Sequence, residues 1–186
     1  MSTGRKLAML VLTGAMVSVG TLASATGAQA APQPEPRAGV TAAPYYYIIN
    51  KHSGKCLQPK SPSYANSIVV QRTCGPWGGM TWGLFDIGGG YYWLINQYSG
   101  MCMDLQANSE EEVVRGTLVQ QFWCSAAYTS EQWRLVPGPA PSGYYQLVNR
   151  VKGLCADIQF RSSANEAKLQ VIECKYNEPA QLFRFA

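Results

Sequence analysis

Six cysteines, Cys56, Cys74, Cys102, Cys124, Cys155 and Cys174, are the residues whose number and spacing most plainly could do chemistry. An even set of thiols in an exported chain pairs by oxidation, and spacing alone leaves several pairings open. Zinc ligation is the competing chemistry. It needs close Cys-x-x-Cys or His pairs, and the chain has no Cys-x-x-Cys and a single histidine, His52. His52 has no nucleophile at a suggestive spacing, so it reads as a turn residue. Neither a metal nor another cofactor is expected.

The elements that must position these thiols recur three times: YYYIINKHSGKCLQ from Tyr45, YYWLINQYSGMCMD from Tyr91 and YYQLVNRVKGLCAD from Tyr144. The copies align without a gap and start 46 and then 53 residues apart. Self-similarity at such a period marks a repeat architecture. Each copy places an Asn (Asn50, Asn96, Asn149), a Gly (Gly54, Gly100, Gly153) and a Cys (Cys56, Cys102, Cys155) at fixed offsets. If each repeat is one structural unit, the simplest connectivity is one bridge within each: Cys56–Cys74, Cys102–Cys124 and Cys155–Cys174. Each bridge closes a loop of about 20 residues, worth on the order of 3 kcal/mol in the chain-entropy model. The recurrent tyrosine pairs read as structural. Asp104 and Asp157, each two residues after a cysteine, could suggest a glycosidase carboxylate pair. Threefold equivalence sets them apart on the surface, so the chain is not expected to be an enzyme.

From Tyr45 onward the pattern is β. Runs such as Tyr46 to Ile49 and Tyr92 to Ile95 are aromatic and β-branched, and no long helical period occurs. A strand is expected at each tyrosine pair and at the first cysteine of each repeat. A third is expected at Ile68 to Gln71, Leu118 to Gln121 and Leu169 to Ile172, and a fourth at Trp82 to Phe85, Trp133 to Val136 and Phe183 to Phe185. Ser-Gly and Lys-Gly pairs mark the turns. The repeats span 45–88, 91–137 and 144–186, with Gly-rich and Pro-rich linkers. Closure of such short strands into a barrel removes exposed edges.

Ahead of this domain, Arg5 and Lys6, an apolar run from Leu7 and Ala28-Gln29-Ala30 make residues 1–30 a signal peptide. Residues 31–44 read as a flexible Pro/Ala-rich leader. The expected chain is secreted and extracellular, without a membrane span in its mature form, and monomeric. The 15 basic and 11 acidic residues give a formal charge of +4. The basic residues are scattered, which argues against nucleic acid as a partner.

Three such repeats, each with paired cysteines and a closing aromatic, resemble the ricin B-type β-trefoil lectin domain. Its repeat-end motif, Gln-x-Trp, is matched loosely by Gln181-Leu182-Phe183, with Glu131-Gln132-Trp133 and Met80-Thr81-Trp82 in the other copies. The aromatic is kept throughout and reads as a barrel-filling ring. The resemblance implies an all-β trefoil that binds a polysaccharide or glycan in shallow dishes, one per repeat. A carboxylate there accepts bonds from adjacent sugar hydroxyls and an aromatic face stacks on the sugar. It points in the second repeat to Asp104, Gln120 and Phe122, with Ser130 in place of an Asn and Tyr128 nearby. In the third it points to Asp157 and Gln170, with Ile172 and Ala180 replacing the aromatic and the Asn. In the first, Gln58 and Arg72 replace carboxylate and aromatic, and the pocket is expected to be lost.

Each residue also has a plainer reading. The aspartates can cap turns. Phe122 and Trp123 can alternate between inside and outside. Glu110 to Glu112 can be a solvated loop rather than the rim of the second pocket. Trp77, in Pro76-Trp77-Gly78-Gly79, can be a partner contact or fold over a barrel end. A protein-interaction module, inhibitor-like or effector-like, is therefore the alternative to a carbohydrate-binding one, since trefoil scaffolds host both.

Overall fold

The computed structural model describes residues 44–140 and 142–186. The expected signal peptide and all but the last residue of the expected leader lie outside them. The described chain forms twelve strands: β1 Tyr45–Asn50, β2 Cys56–Pro59, β3 Ser67–Arg72, β4 Thr81–Gly88, β5 Tyr91–Asn96, β6 Cys102–Leu105, β7 Val119–Phe122, β8 Gln132–Pro137, β9 Tyr145–Asn149, β10 Cys155–Ile158, β11 Leu169–Ile172 and β12 Phe183–Phe185. Short 3-10 turns, Thr129–Glu131, Gln159–Arg161 and Pro179–Gln181, complete it. Strands therefore fall where the aromatic and β-branched runs place them. The third strand of each repeat stops two residues short of the second cysteine.

Pairing closes a ring. β1 pairs with β4, β4 with β5, β5 with β8, β8 with β9, β9 with β12, and β12 with β1. The hairpins β2–β3, β6–β7 and β10–β11 stand outside this barrel. The closing aromatics explain why the tyrosine pair and the Asn recur. Trp82 pairs with Tyr46 and Asn96, Trp133 with Tyr92 and Asn149, and Phe183 with Tyr145 and Asn50. All three rings are fully buried in one core with Ile48, Leu94 and Leu147. Trp82 Nε1 donates to Leu57 O at 3.0 Å and Trp133 Nε1 to Met103 O at 2.8 Å. Phe183 has no N–H to place, so an apolar ring suffices there.

Two sets of side chains lock the repeats together. Each buried Asn turns its carbonyl to its own turn and its amide to the repeat before it in the ring. Asn50 Nδ2 donates to Ala180 O at 3.0 Å, Asn96 Nδ2 to Gly79 O at 2.7 Å and Asn149 Nδ2 to Ser130 O at 2.7 Å. Gln71 Nε2 donates to Ser162 O and Ala164 O, and Gln121 Nε2 to Pro62 O and Tyr64 O. In the third repeat Val171 stands in the glutamine's place, and a different residue makes the bonds. Lys152 Nζ donates to Glu111 O at 3.0 Å and Val113 O at 2.7 Å. The three bridges are Cys56–Cys74, Cys102–Cys124 and Cys155–Cys174, one inside each repeat as expected.

Candidate functional site

The hairpin β6–β7 carries the second-repeat residues. Its register sets Asp104 opposite Gln120 and Cys102 opposite Phe122. Side chains two apart share a face of a strand, so Gln120 and Phe122 point the same way. Gln120 Nε2 donates to Asp104 Oδ2 at 2.9 Å. Both side chains are buried, and Asp104 Oδ1 and Gln120 Oε1 have no hydrogen-bond partner. Buried acceptors without partners are costly, and ligand hydroxyls would satisfy them. Burial pushes the Asp104 carboxyl above its ordinary range. The Gln120 amide, the Ser130 hydroxyl and the Leu105 backbone N–H work against that rise.

Asp104 and Gln120 line a cavity of about 610 Å³. Ligand pockets run from roughly 300 to 1,000 Å³, so it has room for a sugar. Phe122 and Tyr128 form an aromatic wall, their ring centroids 6.4 Å apart and their planes inclined at 53°. Trp123, the next residue along the strand, is 61% exposed and does not line the cavity. Ser130, on the 3-10 turn after Cys124, and Glu110 and Glu112, on the long loop between the cysteines, complete the rim. Glu110 accepts a bond from the Thr129 hydroxyl, and Glu112 Oε2 from Asn108 N at 3.0 Å. No lysine or arginine lines this cavity among the described residues.

Asn66, from the first repeat, also lines it. A reading made one repeat at a time misses this residue, because the wall comes from the neighbour. Its backbone φ of 60° is in the left-handed region that Asn tolerates better than most residues. The equivalent places in the other repeats are Gly116 and Glu166, at φ 90° and 68°. The common geometry is one bond from each of these N–H groups to the neighbouring repeat: Asn66 to Gln121 O, Gly116 to Val171 O and Glu166 to Gln71 O.

Behind the site, Glu131 occupies the place of the motif glutamine. In the third repeat, Gln181 Oε1 accepts from Lys175 N at 2.8 Å and its amide donates to Glu173 O at 3.1 Å. Glu131 Oε2 accepts from Ser125 N at 2.8 Å, but its buried Oε1 has no partner. Burial, together with the nearby Asp104 charge, pushes this carboxyl up to about 7, against the pull of the Ser125 N–H.

Asp157 and Gln170 form a separate group on the β10–β11 hairpin, where Gln170 Nε2 donates to Asp157 Oδ1 at 3.1 Å. Burial raises the Asp157 carboxyl as well. Their cavity, about 370 Å³, is lined by Ile172 where Phe122 stands in the second repeat. It also holds Phe160, 88% exposed on the turn after β10, which sequence patterning did not single out. The first repeat is not filled in: the substitutions at Gln58 and Arg72 leave a cavity of about 360 Å³. Among the described residues, no group of His, Cys, Asp and Glu could hold a metal ion.

A six-stranded barrel with three disulfide-tied hairpins, each with a cleft at its side, defines a β-trefoil of the kind that presents shallow repeat sites. The chain belongs to the ricin-type beta-trefoil lectin domain-like family, which matches residues 37–122 and 129–186. Comparison with curated protein sequences returns no match. Among solved structures, it is similar to ThreeFoil, a designed 3-fold symmetric protein, at 29% identity and a TM-score of 0.70, covering 76% of this chain and 97% of that one. It also resembles 1,3Gal43A, an exo-beta-1,3-galactanase from Clostridium thermocellum, at 26% identity and a TM-score of 0.69, covering 80% of this chain but 30% of the enzyme. A ricin B-like lectin of Macrolepiota procera, solved in complex with lactose, shares the fold at 12% identity and a TM-score of 0.65, covering 78% of this chain and 96% of the lectin. Among the described residues no helix is long and apolar enough to cross a membrane.

Proposed function

We propose that this chain is a secreted carbohydrate-binding module that holds a glycan mainly in its second repeat. The observation that carries the reading is the pair of unpartnered buried acceptors, Asp104 Oδ1 and Gln120 Oε1, on two residues that line a cavity with Phe122 and Tyr128. Vicinal sugar hydroxyls donate to the two oxygens while the pyranose C–H face lies on the rings. Ser130 supplies a further hydroxyl at the rim. The carboxylates of Glu110 and Glu112 disfavour anionic glycans here and favour neutral ones by default. Asp157 and Gln170 form a second, weaker site. Family membership and the glycan-bound trefoil relative support the carbohydrate class. Export is supported by the three disulfides, which persist in oxidising compartments. The module acts by binding, as a monomer, without chemistry of its own.

The test is a broad glycan array with insoluble-polysaccharide pull-downs, run on the chain and on Asp104→Ala. Binding of a defined neutral glycan that disappears in Asp104→Ala supports the reading. Binding that survives the substitution moves the site elsewhere, and no binding by either protein favours a protein partner instead.

A further inference from the structure

The first repeat keeps the frame of the second-repeat site but reverses its charge. Register aligns Gln58 with Asp104, Val70 with Gln120 and Arg72 with Phe122. Val70 offers nothing to bond Gln58, and Gln58 Oε1 is buried without a partner. Like Asp104 Oδ1, it is a buried acceptor without a partner, on a residue that lines a cavity. That cavity is lined by Gln58, Arg72, Thr73, Trp77, Met80 and Asn165.

The aromatic wall lost at residue 72 is supplied from the following loop. Trp77 is 65% exposed, and its indole packs close to Gly75, where a Cβ would come within 2.6 Å of Nε1. The absence of a side chain at Gly75 leaves room for the ring there.

The charge comes from Arg72. Arg72 pairs with Glu166 of the third repeat through Nε, which leaves its two terminal nitrogens outside that bond. Lys55, which does not itself line the cavity, donates through Nζ to Thr73 Oγ1 at 3.2 Å. Arg72 therefore puts a cation in the lining of this cavity, whereas Asp104, Glu110 and Glu112 stand without a lining cation in the second repeat.

We propose that the first-repeat cavity is a binding site for a carboxylate-bearing pyranose, a uronic-acid residue of an acidic polysaccharide. Trp77 stacks on the sugar ring, Gln58 Oε1 accepts from a hydroxyl, and the terminal nitrogens of Arg72 hold the carboxylate in charge-assisted hydrogen bonds. The site is independent of the second-repeat site, and the two sort glycans by charge.

The probe is a galacturonic-acid oligosaccharide and its fully methyl-esterified form, which has the same rings without the charge. Titration calorimetry of the chain is expected to show the acid binding about tenfold more tightly than the ester, the discrimination of one charge-assisted bond. Arg72→Gln abolishes that preference. Glu166→Gln, which frees the guanidinium, increases it, and Trp77→Ala weakens both ligands. Asp104→Ala leaves all of this unchanged, which separates failure here from failure of the second-repeat reading. Equal binding of acid and ester, a preference that survives Arg72→Gln, loss of acid binding in Asp104→Ala, or no binding of the acid each overturns the proposal.

Discussion

Glu131→Gln is a substitution that should stabilise the protein, and only above a certain pH. Glu131 is fully buried, one carboxylate oxygen bonds Ser125 N, and the other has no partner. Its carboxyl is raised from 4.5 to about 7. A carboxyl whose folded value lies above its unfolded value binds its proton more tightly in the native state. Its stabilising contribution is complete below pH 4.5 and is lost as the pH rises through about 7. The interval corresponds to about 3 kcal/mol between acid and alkaline conditions, at about 1.4 kcal/mol per pH unit. A glutamine carries an N–H at all pH values and can bond as Gln181 does in the third repeat. Thermal unfolding of the wild type and Glu131→Gln should be followed from pH 4 to pH 9. The expected curves coincide near pH 4 and diverge above it, with the variant more stable by up to about 3 kcal/mol, roughly 10 °C for a domain of this size. Parallel curves, or a variant less stable at pH 8, would refute the assignment of Glu131 as a protonated stand-in for glutamine.

Because burial raises Asp104, its carboxylate gains a proton earlier than an ordinary aspartate as the pH falls. Neutral-glycan affinity at the second repeat should weaken on acidification ahead of any unfolding, measured by titration calorimetry across pH. Lys152→Met removes the two bonds that hold the carbonyls of Glu111 and Val113. Amide exchange in the Glu110 to Val113 loop should accelerate and affinity at the second repeat should fall several-fold, at a stability cost of about 1–3 kcal/mol. Replacing Cys102 and Cys124 together by serine should cost about 3 kcal/mol of stability by denaturant melting. The loss should fall when the protein is compared with wild type under reducing conditions, where neither retains the bridge.

The sequence by itself determined the architecture. Repetition of a tyrosine pair, Asn, Gly and Cys at fixed offsets declared three equivalent units, and equivalence selected one disulfide per unit. The strands followed from aromatic and β-branched runs, whose period is local. The closing rings followed because Trp82, Trp133 and Phe183 recur at the end of each unit, and a recurring large ring must go to a shared interior. Asp104, Gln120, Phe122 and Ser130 were legible as one group only through the resemblance to the lectin family; the register of the β6–β7 hairpin accounts for the nearness of the first three, and Ser130 comes from the 3-10 turn beyond it.

Only the tertiary structure decided what one repeat gives to another. Asn66 walls the second-repeat cavity and Asn165 the first because the ring closes with each hairpin beside its neighbour's loop. Lys152 takes over a glutamine's bonds from a different strand connection, a substitution with no local trace. The first-repeat cavity keeps an aromatic lining residue, Trp77, although Arg72 stands where Phe122 does in the second repeat. The contacts of Asn66, Asn165 and Lys152 join residues far apart in the chain, and the spacing within a single repeat carries no record of them.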